Sequence, residues 1–409
     1  MNHPSCTQAD LLAPYKHTAM LESKGIRTLL VDATNAWTLV PPRVQDAVKH
    51  VIGMLHNASL MVDDIEDGSD LRRGAPAAHK VYGVPRTLNC ANQMYFEALK
   101  EALALPTLAI TDSAVSCSPA MHSYYIANVA DLTVQISTLF TEEMVELHEG
   151  QGMDIFWRDT CCCPTLEEYD EMVTKKTGGL FRLALRLMMV LAAPHSAVGI
   201  VHKANRENLL SSSQVSESSM FLSDEDLSLS PTRGVKMDGA SMCAVGETTF
   251  STPTPASAPT TPTASDTTQS PSKLPADLIR LFELLGVYFQ VVDDLLNICS
   301  SEYHANKTFF EDITEGKFSY PVIHSLHASS QTAPNTPLQQ TELFTILQER
   351  PTCNTRKLYC VLLLERTGSL LATRERAAVL EAEIRQHLDR LGGSSAIEDV
   401  LSKMNGLIA

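Results

Sequence analysis

The chain has 409 residues, 44% of them apolar, and a formal charge of −16. Such an acidic balance leaves no basic stripe to displace counterions from nucleic acid and no polybasic segment to grip an anionic membrane. The apolar share supports a substantial core, and the length suits one large domain or two ordinary ones.

From the N-terminus, MNHPSCTQAD lacks the charged-then-apolar layout of a secretory signal. Ten scattered cysteines fit a reducing, cytoplasmic setting. Three of them, Cys161, Cys162 and Cys163, are adjacent, with no His pair at ligand spacing, and read as reduced thiols rather than a zinc site. Residues 43–63 carry apolar side chains at three- and four-residue intervals, which predicts a helix. The same period recurs over 121–148, 166–190, 276–298, 357–371 and 373–391. Gly and Pro punctuate the gaps, as in Gly74-Ala75-Pro76 and Gly83-Val84-Pro85. The stretch Leu180 to Val201 is strongly apolar but is broken by Arg182, Arg186 and Pro194, so a buried helix is expected there, not a membrane span. No alternating strand pattern and no fixed-period repeat is visible. The fold class expected is all-α.

From about Glu207 the composition changes to Ser, Thr and Pro, as in STPTPASAPTTPTASDTTQSPS. Such a segment buries too little apolar surface to offset the entropy of ordering. Residues 207–275 are therefore expected to be a disordered insertion between two parts, 1–206 and 276–409, of a single domain. Long surface insertions cost little, because closure entropy grows only logarithmically. An inert spacer, a retained intron and a phosphorylated regulatory loop are the alternatives for it.

Two acidic clusters carry the chemistry. In SLMVDDIEDGSDLRRG (59–74), an apolar helix runs into Asp63, Asp64, Glu66 and Asp67, followed by Arg72 and Arg73. In FQVVDDLLN (289–297), Asp293 and Asp294 follow an apolar run, with Asn297 one turn on. Positions i and i+4 lie about 40° apart around a helix, so Asp63 and Asp67 share a face, as do Asp293 and Asn297. Carboxylates held that close repel unless a cation intervenes. A few hard oxygen ligands suit Mg²⁺ that completes its shell with water and phosphate oxygens. A single such cluster is also what a solvated helix end looks like, but two with one layout point to a metal–diphosphate clamp. The basic residues Lys24, Arg27, His56, Arg72, Arg73, Lys176, Lys307 and Lys317 could then meet an anionic substrate in an otherwise acidic protein.

The strings KGIR (24–27), LHNASLMVDDIEDGSDLRRG (55–74), AAHKVYG (77–83), LHEGQGMDIFWRD (147–159), KTGGLF (176–181), YFQVVDDLLN (288–297) and NKTFFEDITEGKFSYPVIH (306–324) resemble the trans-isoprenyl diphosphate synthases, most closely the geranylgeranyl diphosphate synthases of fungi and animals. The resemblance implies a helical bundle around a deep apolar cavity, with both clusters at its mouth. It implies three Mg²⁺ ions held by Asp63, Asp64, Asp67, Asp293 and Asp294. The allylic diphosphate (dimethylallyl, geranyl or farnesyl) would meet Arg72, Lys176, Thr177, Gln290, Lys307 and Lys317. Isopentenyl diphosphate would meet Lys24, Arg27, His56 and Arg73. Thr177 and Gln290 would stabilise an allylic cation, Lys176, Asp63 and Asp67 would assist ionisation, and released pyrophosphate would take the final proton. Ala58 and Ser59 are small, so the floor that limits product length would fall deeper, at Tyr95, Phe96 and His148. A homodimer or higher homo-oligomer is implied as well.

Departures from the family pattern are Val292, where relatives often carry a polar residue, and Asn297 in place of a third acid. Rival assignments are a class I terpene cyclase, a non-catalytic modulating subunit of a synthase, and a synthase whose main product is farnesyl diphosphate. A cyclase would need (N/D)DxxSxxxE, which fails at Asn297 and Ser301, and modulating subunits lose acids that this chain keeps.

Overall fold

The computed structural model of the chain describes residues 6–21, 25–116, 118–192, 195, 196, 198, 274–299, 309–332 and 337–408. Lys24, Lys307 and nearly all of the expected insertion, up to residue 273, lie outside them. The described residues contain sixteen α-helices. Chain from both sides of 206–269 contributes to one compact unit, and 206–269 lie outside the described residues.

In chain order the helices are α1 (Gln8–Leu11), α2 (Ala13–Ala19), α3 (Ile26–Thr38), α4 (Pro42–Asp67), α5 (Ala78–Tyr82), α6 (Val84–Ser116), α7 (Pro119–Thr160), α8 (Leu166–Lys176), α9 (Gly178–Val190), α10 (Leu274–Cys299), α11 (Glu311–Glu315), α12 (Tyr320–Thr332), α13 (Glu342–Glu349), α14 (Asn354–Arg366), α15 (Ser369–Arg390) and α16 (Ser395–Ile408). Local chemistry sets their ends. Pro42 opens α4 at its first position, where a missing N–H costs nothing. Gly68, left-handed at φ 72°, closes it directly after Asp67. Thr165 and Glu168 form a reciprocal capping box at the start of α8.

Val44, Val48, Val51, Leu55, Ala58 and Met61 form the buried stripe of α4, at helical spacing. They pack with α6, α7 and α9 in one lobe of the core. A second lobe gathers α10 with α12 to α16 and parts of α3, α8 and α9. Helix α9 lies between the lobes and is buried around its whole circumference: Phe181 and Leu185 pack into one, Leu183 and Leu187 into the other.

The structure departs from the sequence reading in several places. The expected helix 166–190 is broken at Thr177, which caps both α8 and α9; two glycines in succession, Gly178 and Gly179, weaken the helix there. A two-residue hairpin, β1 (Leu71–Arg72) with β2 (Ala75–Pro76), stands where no strand was expected. Its central residues Arg73 and Gly74 both have positive φ, 52° and 78°, as two-residue hairpin turns demand. Helices α1 to α3, α5, α6, α11 to α13 and α16 lie outside the ranges read from the sequence, and the helix expected over 357–371 ends at Arg366, before Gly368 at φ 70°. Leu274 and Pro275, assigned to the insertion, begin α10.

Two glycines draw the helices together at the break. A Cβ on Gly150 of α7 would lie 2.5 Å from the Lys176 nitrogen, and one on Gly286 of α10 would lie 2.9 Å from the Gly178 Cα. Backbone contact of this closeness admits only glycine. It sets α7, the α8–α9 junction and α10 around Lys176 and Thr177.

Candidate active site

The helices enclose a cavity of about 490 Å³, within the usual range of small-molecule sites. Its lining comes from α3, α4, α6 to α10 and the segment 312–319. The last turns of α4 bring the first acidic cluster to it. Asp63 and Glu66 line the cavity, and Gln151 of α7 donates to Glu66 Oε2 at 2.7 Å and to Asp63 Oδ1 at 3.4 Å. Asp64, one residue on, is about 100° away around the helix and is buried. Arg72 Nε donates to its Oδ1 at 2.7 Å, and Arg72 Nη2 donates to Asp63 Oδ2 at 3.1 Å. Asp67 is also buried, accepting from Arg158 Nη1 at 2.8 Å and from Lys317. Burial, with Asp63 and Glu315 adding to it and Lys317 opposing, pushes the Asp67 carboxyl up to about 7.

The second cluster approaches from α10. Asp293 and Asp294 line the cavity, whereas Asn297 is buried away from it. Asp294 accepts from the Tyr169 hydroxyl (2.6 Å), the Tyr320 N–H (2.8 Å) and the Gln290 amide (2.8 Å). Burial raises it to about 6 against those three hydrogen bonds. Gln290 in turn accepts from Thr177 Oγ1 at 2.8 Å.

Basic groups border the acids. Lys176 Nζ lies 2.7 Å from Asp154 and 3.6 Å from Asp63. Burial opposes its charge, but these two carboxylates outweigh it and hold the ammonium above its usual range. Lys317 bridges Asp67 and Glu315, and Glu315 accepts from the Ser69 hydroxyl at 2.9 Å. On another wall Arg27 and Arg73 each approach His56 Nε2 at 3.2 Å. Burial, then the two guanidinium groups, hold His56 well below its usual range, so the ring is neutral and accepts from them. Burial also brings Arg27 down to about 10, with Arg73 adding to the effect. Its guanidinium lies 5.4 Å from the Phe181 ring centre. Three cationic or imidazole groups with so few acid partners form a cradle for an anion.

The apolar end of the cavity is bordered by Leu60, Tyr95, Leu147, His148 and Leu180. Ser59 lines it too, while Ala58 packs into the core. The Tyr95 and His148 rings meet edge-on, 5.6 Å between centres. Phe96, expected beside them, is 72% exposed and does not line the cavity. Phe96 projects about 100° around α6 from Tyr95, and at this position that direction leads to the surface.

Sequence reasoning missed several residues around the site. Gln151, Asp154 and Arg158 stand at three- and four-residue spacing inside LHEGQGMDIFWRD and share one face of α7, a signal present in the string. Tyr169 left none, because a tyrosine on an amphipathic helix looks like core. Glu315 was hidden among the surface-like charges of FFEDITEGK.

Among the described residues, no three acid, His or Cys side chains converge closely enough to cage an ion alone. Asp63 and Asp293, hard oxygen donors on one cavity, suit Mg²⁺ that completes its shell with diphosphate oxygens and water. Among the described residues no helix is long and apolar enough to cross a membrane.

The chain is 34% identical over 384 residues to geranylgeranyl pyrophosphate synthase cle6 of Aspergillus versicolor, covering 94% of this chain and 73% of that one. It is 32% identical to geranylgeranyl pyrophosphate synthase AN1592 of Hericium erinaceus, covering 94% and 88%. It is also 32% identical to a geranylgeranyl pyrophosphate synthase of Mucor circinelloides f. lusitanicus, covering 96% and 92%. The family model described as polyprenyl synthetase matches residues 8–206 and 259–364, and with three quarters of the chain inside that match the protein belongs to the polyprenyl synthetase family.

Proposed function

We propose that the protein condenses isopentenyl diphosphate with dimethylallyl, geranyl or farnesyl diphosphate to make geranylgeranyl diphosphate. One observation carries this most directly: acids from two distant helices, Asp63 and Asp293, line one cavity whose walls are basic and whose end is apolar. The names of the relatives support the product.

The residues suit ionisation, condensation and elimination. Asp63, Asp67 and Asp293 would hold magnesium against the allylic diphosphate, and Asp64 and Asp294, held by Arg72 and by Tyr169, Tyr320 and Gln290, stand beside them; three ions belong to this proposal. Magnesium, when bound, supplies stabilisation of the negative charge that develops on the leaving pyrophosphate. Lys176, Lys317 and Arg72 add fixed positive charge at the same place, at no reorganisation cost. Lys307 belongs with them and Lys24 with the isopentenyl site by resemblance alone. Arg27, His56 and Arg73 orient the second diphosphate, so that its double bond faces the cationic carbon. Thr177 and Gln290 offer oxygen lone pairs to that carbon, while Leu60, Leu147 and Leu180 keep water from it. Tyr95 and His148 stop the growing chain.

Residues 207–273 are proposed to be an insertion, supported by their composition and by the gap at 207–258 in the family match. A cytoplasmic setting and a homo-oligomer complete the proposal; Phe96, Val134 and Phe156 leave apolar surface on α6 and α7 of the kind a second copy covers.

The test is product chromatography after mixing purified protein, magnesium, labelled isopentenyl diphosphate and each allylic starter. Geranylgeranyl diphosphate from all three supports the proposal. Accumulation of farnesyl diphosphate would reassign the product, and a hydrocarbon formed from geranylgeranyl diphosphate alone would mark a cyclase.

A further inference from the structure

Asp294 is 5% exposed, and three protein donors already occupy its carboxylate. Tyr169 and the Tyr320 N–H both donate to Oδ2, and Gln290 Nε2 donates to Oδ1. Resting on the condensation proposed above, we infer that Asp294 is a positioning residue: it fixes the direction of the Gln290 amide and thereby turns the lone pairs of Thr177 toward the reacting carbon.

The direction of each hydrogen bond follows from what each group can do. A backbone N–H can only donate, and an ionised carboxylate can only accept. The end of Gln290 that faces Asp294 must therefore be its NH₂. Its Oε1 then faces Thr177 and accepts the hydroxyl proton at 2.8 Å. Thr177 has one such proton, so what remains for the cavity is oxygen lone pairs. An allylic cation is stabilised by lone pairs and opposed by an O–H aimed at it. If the amide turned over, its NH₂ would meet Thr177, and the hydroxyl proton would swing toward the substrate. Asp294 prevents that turn, and Tyr169 and Tyr320 hold Asp294. The spacing of residues 290 and 294, one helical turn, makes the first contact. The close backbone approach at Gly178 and Gly286 brings Thr177 to the same helix.

Both acids line the cavity, but Asp293 projects about 100° away around α10 from the carboxylate that Tyr169, Tyr320 and Gln290 hold. The two acids of the pair thus divide between metal and orientation.

The experiment compares Asp294→Asn, Asp293→Asn and Tyr169→Phe by steady-state kinetics, and measures binding of inorganic pyrophosphate with magnesium by calorimetry. Asp294→Asn is expected to lower kcat by roughly 10²-fold, the scale of one misdirected polar group in a reacting site. KM for both substrates and the pyrophosphate affinity are expected to hold within about twofold, whereas Asp293→Asn weakens pyrophosphate binding by at least about tenfold. Tyr169→Phe lowers kcat in the same sense by less. In a Gln290→Leu background, where no amide is left to orient, Asp294→Asn is expected to add no further loss. If Asp294→Asn does not fold by circular dichroism, Tyr169→Phe completes the same cycle. Losses that multiply in the double variant, or pyrophosphate binding weakened as in Asp293→Asn, overturn the inference. With an active wild type only this inference falls; a wild type without prenyl product overturns the proposed function as well.

Discussion

Lys317 donates to Asp67 across 250 residues of chain, joining the end of the first acidic helix to the segment that follows the second. Glu315 holds the same ammonium, and Ser69, just past the cap of α4, holds Glu315. The two halves of the site are thus tied by one half-buried lysine. Replacement Lys317→Ala removes the cation between Asp67 and Glu315 and leaves Asp67 with Arg158. Turnover with farnesyl diphosphate is expected to fall by roughly 10²–10³-fold, as for other fixed charges that stabilise a leaving group. Steady-state kinetics check it, and a loss below about tenfold would remove Lys317 from the leaving-group role.

Asp63 and Asp64 are neighbours with opposite surroundings. Asp64 is 1% exposed and paired with Arg72, whose own side chain is nearly covered. Removing one partner of a buried pair strands the other, so Asp64→Ala is expected to cost ~3–5 kcal/mol of stability. Asp63→Ala, on the cavity wall, is expected to cost much less stability but more activity. Urea unfolding of both variants separates them; equal midpoints would contradict the assigned orientations.

Product length distinguishes Tyr95 from Phe96. Tyr95→Ala opens the apolar end of the cavity, and a product one isoprene unit longer than geranylgeranyl diphosphate is expected. Phe96→Ala, at a mostly exposed position, is expected to leave the product unchanged. Chromatography of the dephosphorylated alcohols reads both, and a longer product from Phe96→Ala alone would reverse the assignment.

His56 makes folding pH-dependent. Its burial beside Arg27 and Arg73 lowers its folded pKa well below 6.5, so below that pH the unfolded chain binds the extra proton. Stability from this group is complete above pH ~6.5 and declines as pH falls toward the folded value. The wild-type melting temperature is therefore expected to drop more steeply between neutral and mildly acidic pH than that of His56→Asn. Parallel curves would show that the imidazole is not held neutral.

The helical bundle was legible because long amphipathic repeats such as 43–63 and 276–298 have one solution, a buried stripe. Both acidic pairs were legible for the same reason: Asp63 and Asp293 interrupt apolar helices. What could not be read was direction within each pair. The sequence writes Asp63-Asp64 and Asp293-Asp294 alike, and only the structure shows how each second member is held, Asp64 by Arg72 and Asp294 by Tyr169, Tyr320 and Gln290. Direction was equally unreadable for Tyr95-Phe96, of which the structure places Tyr95 on the cavity and Phe96 at the surface. The break at Thr177 was hidden by apolar periodicity that continues through it, although Gly178-Gly179 marked the place.

The most direct measurement of the central claim follows pyrophosphate release and geranylgeranyl diphosphate formation together, from farnesyl and isopentenyl diphosphates with magnesium. The wild type is expected to release pyrophosphate and form product in equal amounts. Asp63→Asn and Asp293→Asn, each alone, are expected to abolish both. Product formation that survives when both acids are replaced would contradict a site shared between the two clusters.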